Sequence, residues 1–261
     1  MKIGRAILAG YVAFFFAALY TPIAVLIGLS FNESRIVYVW TGFSTRWYGS
    51  VLENEAYMGA FGRSLWIALL TTLLSVALGS FAGIAVARRP PQRWSLAWDA
   101  LVLLPLIIPE IIEALAIALF YQVTGIPLGV WATVIGHTVF SVSFVALIVR
   151  ARMGDMGRSY EEASMVLGAN RIQTFTQVVL PLAAPAIVAG AFLAFAASFD
   201  DVVKSGFTTS ATDRTLPLLV FSAAAKGGIS PQLNALAAIM VAISLSAAFV
   251  RTLAERRISR S

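Results

Sequence analysis

The sequence predicts an all-α, polytopic membrane protein: one transmembrane domain over residues 1–261 with six membrane-crossing helices, and a polar helix–turn–helix at 159–181 between the fourth and fifth. Three observations predict it. Hydrophobic residues make up 59% of the chain, charged residues only 12%, and the mean hydropathy is +0.84, more apolar character than a water-soluble domain needs for its core. Six apolar runs, at 7–29, 65–87, 96–121, 130–149, 182–199 and 233–253, approach or exceed the roughly 20 helical residues that cross about 30 Å of hydrocarbon. Segment 159–181 is polar and carries helix-capping patterns between two of those runs.

Lys2 and Arg5 precede the first run as they would in a signal peptide, but the run is too long and lacks a small-x-small cleavage site, so a retained first helix is expected. An outer connection, 30–64, follows, with Tyr38, Trp40, Trp47 and Tyr48 suited to a membrane interface. The second run contains Gly79-x-x-x-Gly83, a spacing that permits close helix packing. In the third, Pro105 and Pro109 each remove a backbone donor, so a kinked or broken helix with freed carbonyls is expected there. His137, the lone histidine, sits in the fourth run with no converging metal ligands nearby; a hydrogen-bonded structural role is expected, and no metal.

Segment 159–181 opens on Ser159-x-x-Glu162, a capping box, with Gly168 placed to end the first short helix. Asn170-x-x-Gln173 offers a second box before Pro181 interrupts the next run. A second outer connection, 200–232, separates the last two runs.

Charge sets the orientation. With the N terminus inside, thirteen of the nineteen Lys and Arg residues, among them Arg88, Arg89, Arg93, Arg150, Arg152, Arg158, Arg171 and Arg260, fall on the cytoplasmic side. Both termini and the 159–181 segment are then expected in the cytoplasm. The net charge of +6 follows from this bias and gives no reason to invoke nucleic acid. The chain has no cysteine, which excludes disulfides and thiolate metal sites. No nucleotide-binding, zinc-hydrolase or serine-hydrolase pattern occurs, so no catalytic residue is expected and any ATP hydrolysis falls to another subunit.

Two groups of acids stand out. Glu110 and Glu113 follow Pro109 on roughly one helix face, about 16 Å and about 20 Å along a straight helix from Asp99. At such depth a carboxylate must face a cavity, find a partner or stay protonated. Two readings stand: a water-filled pathway where they meet a cationic substrate, or hydrogen bonds to a neighbouring helix or to freed backbone. Asp200 and Asp201 lie about 29 Å beyond Pro181 along a helix, near the outer face. Lys204, one turn on, is placed to pair with either, so substrate contact, a structural ion pair and contact with a binding protein all remain open.

Glu162-Ala163-Ser164, Gly168 separated from Val178 by nine residues, and Leu180-Pro181 together resemble the EAA motif of ABC-transporter permeases. Ser164 stands for the usual second alanine and Val178 for the usual isoleucine. The resemblance implies that Glu161, Glu162, Ala163, Gly168, Leu180 and Pro181 couple this chain to an ATPase cleft. Ser30 to Arg35 (SFNESR), Trp40 to Tyr48 (WTGFSTRWY), Ser198 to Val203 (SFDDVV) and Gly228 to Ala237 (GISPQLNALA) extend it. Over nearly its full length the chain is similar to the second inner-membrane subunit of spermidine/putrescine ABC importers.

That resemblance implies a bacterial inner-membrane type I importer. Its expected partners are a second permease, two ATP-binding subunits carrying ATP and Mg, and a periplasmic or lipid-anchored substrate-binding protein; this chain itself needs no cofactor. Substrate pathway candidates are Glu110, Glu113, Asp200, Asp201 and Lys204. Glu113 and Lys204 depart from residues commonly apolar in polyamine transporters. The added acid favours a polycation, whereas the lysine equally suits an opine, an amino-acid derivative or an aminophosphonate. A cation-selective channel or an intramembrane enzyme would use the same carboxylates, but neither explains the capped segment.

Overall fold

The computed structural model describes residues 2–37, 39–89, 95–226 and 230–258. Among them are twelve α-helices: α1 (Lys2–Leu29), α2 (Arg46–Leu52), α3 (Glu55–Ala87), α4 (Ser95–Ile107), α5 (Glu110–Thr124), α6 (Val130–Asp155), α7 (Ser159–Val166), α8 (Arg171–Thr174), α9 (Leu180–Phe199), α10 (Val203–Thr208), α11 (Leu216–Ala225) and α12 (Pro231–Ile258). Among the described residues, the only β pairing outside named strands is an isolated bridge between Asn32 and Phe43. Tyr38, Arg93, Gly228 and Arg260, named above, lie outside the described residues.

Among the described residues, four stretches are long and apolar enough to cross a membrane: Ile7–Leu29, Glu55–Ala87, Val130–Asp155 and Arg171–Phe199. The bent pair Ala97–Ile107 and Glu110–Thr124 makes a fifth if it counts as one span. The run at 233–253 falls on α12, of which Pro231–Ser246 is a shorter apolar helix among the described residues. Both long connections carry helix: α2 and the first turns of α3 occupy much of 30–64, while α10 and α11 occupy much of 200–232.

The chain forms two compact units, Met1–Met58 with Val220–Ile243, and Gly59–Leu219 with Ser244–Ser261. In the first, Asn32 organises the loop after α1. Its fully buried side chain donates to the Val39 carbonyl at 2.8 Å and accepts from the Ser34 and Thr41 amides at 3.2 Å. Trp47 Nε1 donates to the Asn32 carbonyl at 2.7 Å, and Phe31 packs on Phe43 and Tyr48. The SFNESR and WTGFSTRWY segments are thus two sides of one knot, in which buried backbone groups find partners in the amide of a single asparagine. Trp40 is exposed, while Trp47 is bound into the knot.

In the second unit α3, α6 and α9 meet around a core that includes Ile84, Val145, Val149, Met153, Val179 and Ala183. Glycines permit the approach. A Cβ on Gly79 would lie 2.7 Å from Val145 Cβ, and one on Gly83 would lie 2.5 Å from the Ala146 carbonyl oxygen and 3.0 Å from Val149 Cβ. Gly190 on α9 meets Val145 from the other side, at 3.3 Å. In a bilayer, where lipid is as apolar as leucine, such backbone contact is what packs helices. Gly83→Leu is therefore expected to force α3 from α6 at a cost of about 1–3 kcal/mol or more. Lower yield and an earlier melting transition of the purified protein would register it; unchanged melting would refute the close packing.

The third run breaks at one proline. Pro105 lies inside α4, which continues to Ile107, whereas Pro109 has ψ 130° and precedes α5, and the two helices meet at 104°. Proline disfavours the helical conformation in the residue before it, so the chain turns at Ile108 and restarts with Pro109 carbonyl accepting from the Ile112 and Glu113 amides. Because of this bend, Glu110 and Glu113 do not lie at the straight-helix distances from Asp99 that the sequence predicts.

The capped segment also differs from expectation in part. Ser159 is already helical, the N-cap is Arg158, and no side chain caps α7. The preceding Gly157 turns the chain with φ +63°, and Glu162 spends its amide on the Arg158 carbonyl. The Asn170–Gln173 box is formed, with both bonds 2.9 Å. Pro181 does not interrupt the next run. α8, a π-helical turn at Phe175–Val179 and α9 form a continuous span, Arg171–Phe199, with Pro181 in the first turn of α9. A π turn is one way for a helix to accommodate a proline that cannot donate to the preceding turn.

Candidate functional site

Pro109 ends α4, so α5 starts afresh with Glu110 and Glu113 in its first turn. Opposite it α10 begins three residues after Asp200 and carries Lys204 in its own first turn. The two helices bring Lys204 Nζ within 2.5 Å of Glu110 Oε1, 3.5 Å of Asp201 Oδ2 and 3.9 Å of Glu113 Oε2. The Phe140 ring of α6 closes the fourth side, its centroid 4.1 Å from Nζ. Lys204 is 2% exposed, whereas the Glu110 side chain is 48% exposed. Three carboxylates and a ring face thus enclose one ammonium, with Glu110 at the mouth.

A second layer orients Asp201. Its Oδ1 accepts from the Ser205 amide at 2.7 Å and lies 3.3 Å from His137 Nε2, which leaves Oδ2 for Lys204. His137 Nδ1 lies 2.8 Å from Ser198 Oγ, so the histidine is held between two elements in the hydrogen-bonded setting the sequence led us to expect. Asp200 is exposed at the C-cap of α9 and does not join the cluster. Of the five pathway candidates the fold therefore gathers four. Phe140 and Ser205 escaped sequence reasoning because a lone aromatic or serine carries no pattern, and Ser198 entered only as the first residue of SFDDVV; the Asp201-x-x-x-Ser205 spacing was the available hint of a cap.

A second candidate region is the capped segment. α7 has no buried residue; Gly168, with φ +93°, and hydrogen bonds from its amide to Met165 and from Ala169 to Ser164 close it. Arg88 Nε donates to Glu161 Oε1 at 2.5 Å and its Nη1 to the Met153 carbonyl at 2.8 Å, while Arg158 donates to the Arg88 carbonyl. A cavity of about 480 Å³ lies here, lined by Arg88, Arg158, Glu161, Glu162, Met165 and Arg171 among others. Glu162 and Ala163 face solvent, and Val166, Leu167 and Ile172 are 87%, 88% and 76% exposed. Large apolar side chains so bare beside a charged cavity suit a partner surface. Arg88 was not among the candidates; its place at the end of the second run was the available signal.

The family described as binding-protein-dependent transport system inner membrane component matches residues 75–260. The chain is 36% identical over 235 residues to the putrescine transport system permease protein PotI of Escherichia coli (strain K12), covering 87% of this chain and 82% of that one. It is 35% identical over 243 residues to the spermidine/putrescine transport system permease protein PotC of the same organism, covering 93% and 91%. Among solved structures, a chain of the bacterial alginate ABC transporter in complex with pentasaccharide-bound periplasmic protein superposes with a TM-score of 0.76 at 15% identity, over 100% of this chain and 96% of that one. A chain of the MetNI methionine ABC transporter in an inward-facing conformation gives 0.61 at 23%, over 78% and 99%. With the family matched over most of its length and its long apolar helices in place, the chain belongs to the binding-protein-dependent transport system inner membrane components, as a membrane-spanning permease subunit that is not itself an enzyme.

Proposed function

We propose that the chain is one permease of an ATP-driven importer for polyamines such as putrescine and spermidine. The observation that carries the substrate class is the carboxylate cage of Glu110, Glu113 and Asp201 at a helix break, a setting that favours ammonium groups; the names of PotI and PotC support it. In this reading all 261 residues form a single permease domain of six crossings, α12 supplying the sixth, in a bacterial inner membrane with both termini cytoplasmic. A second permease completes the pathway. Two ATPase copies bind ATP and Mg and receive the 159–181 segment, and a periplasmic or lipid-anchored binding protein delivers substrate.

Glu161, Glu162, Ala163 and Gly168 transmit ATPase closure, with Leu180 and Pro181 as the root of the segment, and Arg88 ties the segment to the end of α3. Alternating access then needs two helix packings of similar energy. Asp200, exposed at the end of α9, is assigned to the outer mouth. A second reading keeps the machinery and changes the cargo: the buried ammonium of Lys204 suits an amino-acid derivative, opine or aminophosphonate.

The test is reconstitution with the partner permease, ATPase and binding protein in liposomes. ATP-dependent uptake of putrescine or spermidine, but not γ-aminobutyrate or an aminophosphonate, is expected; uptake of only the zwitterion or phosphonate would overturn the polyamine reading and leave the importer standing. ATP-independent ion currents would overturn both.

A further inference from the structure

The cage of α5, α10 and α6 is built for a primary ammonium, and the group now in it belongs to the protein. Lys204 Nζ has Glu110 Oε1 at 2.5 Å, Asp201 Oδ2 at 3.5 Å and the Phe140 ring centroid at 4.1 Å. Glu113 supplies the independent sign of a ligand site. It is 7% exposed, neither carboxylate oxygen has a hydrogen-bond partner, and Oε2 points at Nζ from 3.9 Å. A buried carboxylate without a hydrogen bond is costly, and one ammonium is a small counter-charge for three acids.

Space decides whether a second cation joins Lys204 or replaces it. The void beside Nζ, lined by His137, Phe140, Ser141, Ser198 and Asp201 among others, holds about 10 Å³. That is at most about one water molecule. A second ammonium with its carbon chain does not fit that void while Lys204 is seated, and the apolar cavity of about 330 Å³ that Glu113 also lines, with Ile108, Ile112, Phe120 and Tyr121, contains no second acid to hold one. The half-exposed Glu110, which makes the shortest contact, is the place where an incoming cation would first meet the cage.

The geometry points to Lys204 as a resident ammonium filling a substrate site: a transported alkylammonium enters at Glu110 and exchanges with Nζ, which leaves the cage. Lys204 is then a specificity-determining residue. A cargo must outbid a tethered amine of high effective concentration, which a diamine or triamine does by bringing further charges and a monoamine does not. This rests on the polyamine reading and adds to it the identity of the subsite and of its competitor.

The experiment uses the transporter assembled with its partner permease and ATPase subunits. Lys204→Ala opens the cage, and n-butylammonium, tetramethylammonium and butanol are offered to variant and wild type while melting is followed. n-Butylammonium is expected to raise the variant's melting temperature by about 2–4 °C and to leave wild type unmoved, with the quaternary ion and the alcohol inert on both. An equal response of wild type and variant, or an effect of butanol or tetramethylammonium as large as that of butylammonium, would overturn the proposal. Occupancy by cargo is read separately with Lys204→Cys, since this chain has no other cysteine, in partners freed of theirs. Putrescine is expected to fill the vacated cage and slow labelling by aminoethyl methanethiosulfonate at least about tenfold, and an unchanged rate overturns the substrate site. Failure of both variants to assemble also overturns it, because Lys204 would then be a fixed strut. Putrescine uptake without these effects sinks the cage alone; the effects without uptake of any polyamine sink the substrate reading alone.

Discussion

Gly168→Pro is expected to abolish ATP-driven uptake while the chain still inserts. Proline holds φ at about −65°, whereas Gly168 sits at +93°, a region only glycine enters cheaply. Its amide also donates to the Met165 carbonyl at 3.0 Å, and proline has no such donor. Both losses fall at the end of α7, an element with no buried side chain to hold it otherwise. The direction of Val166 and Leu167, bare at the helix end, would be lost with the turn. The measurement is uptake into liposomes beside the ATPase rate of the same preparation. Uptake should fall by about 100-fold or more, the scale of a coupling step displaced by a few ångströms, with ATPase no longer stimulated by loaded binding protein. Normal coupled uptake would refute the assignment of 159–181 as the coupling segment. Glu162→Lys should give the same loss through charge alone, because the Glu162 side chain is exposed and the backbone bond from its amide to the Arg158 carbonyl is open to lysine as well.

Glu110→Gln is expected to reduce polyamine uptake about tenfold to 100-fold, equivalent to about 1.4–2.8 kcal/mol of cation recognition. The substitution is nearly isosteric and keeps a hydrogen-bond acceptor for Lys204, but removes the charge at 2.5 Å. Lys204 retains Asp201 and Glu113, so the α5–α10 junction should hold. A cation arriving from outside keeps no such reserve at the mouth. The comparison that matters is between charges: spermidine and putrescine should suffer more than a neutral molecule of similar size. An equal fall for both, with less assembled complex, would make Glu110 a structural partner of Lys204 and no more.

Much of this was legible in the chain itself, and the reasons differ by element. The apolar runs are set by bilayer thickness, so their length suffices. Gly168 and the Asn170–Gln173 box are local: three or four residues contain the whole interaction, and both appear where the spacing places them. Ser159-x-x-Glu162 is equally good as a pattern but is not formed. A neighbouring turn at Gly157 starts the helix one residue early, so Ser159 is already helical and the Glu162 amide donates to the Arg158 carbonyl instead. Pro105 and Pro109 look alike in sequence; only the second turns the chain, because there a new helix has packing against α10 to gain.

By itself, then, the sequence determined membrane residence, helical class, the polar segment and the short list of acids, since hydrophobicity, proline and glycine act through bonds and neighbours within one turn. Tertiary structure alone decided what the acids do. Glu110 and Lys204 are ninety-four positions apart, and their contact depends on the 104° bend and on α10 docking against α5. Likewise Asp200 and Asp201 are adjacent yet separate, one in solvent and one against His137 and Lys204, because a charged side chain's role follows from which face of the fold its backbone turns inward.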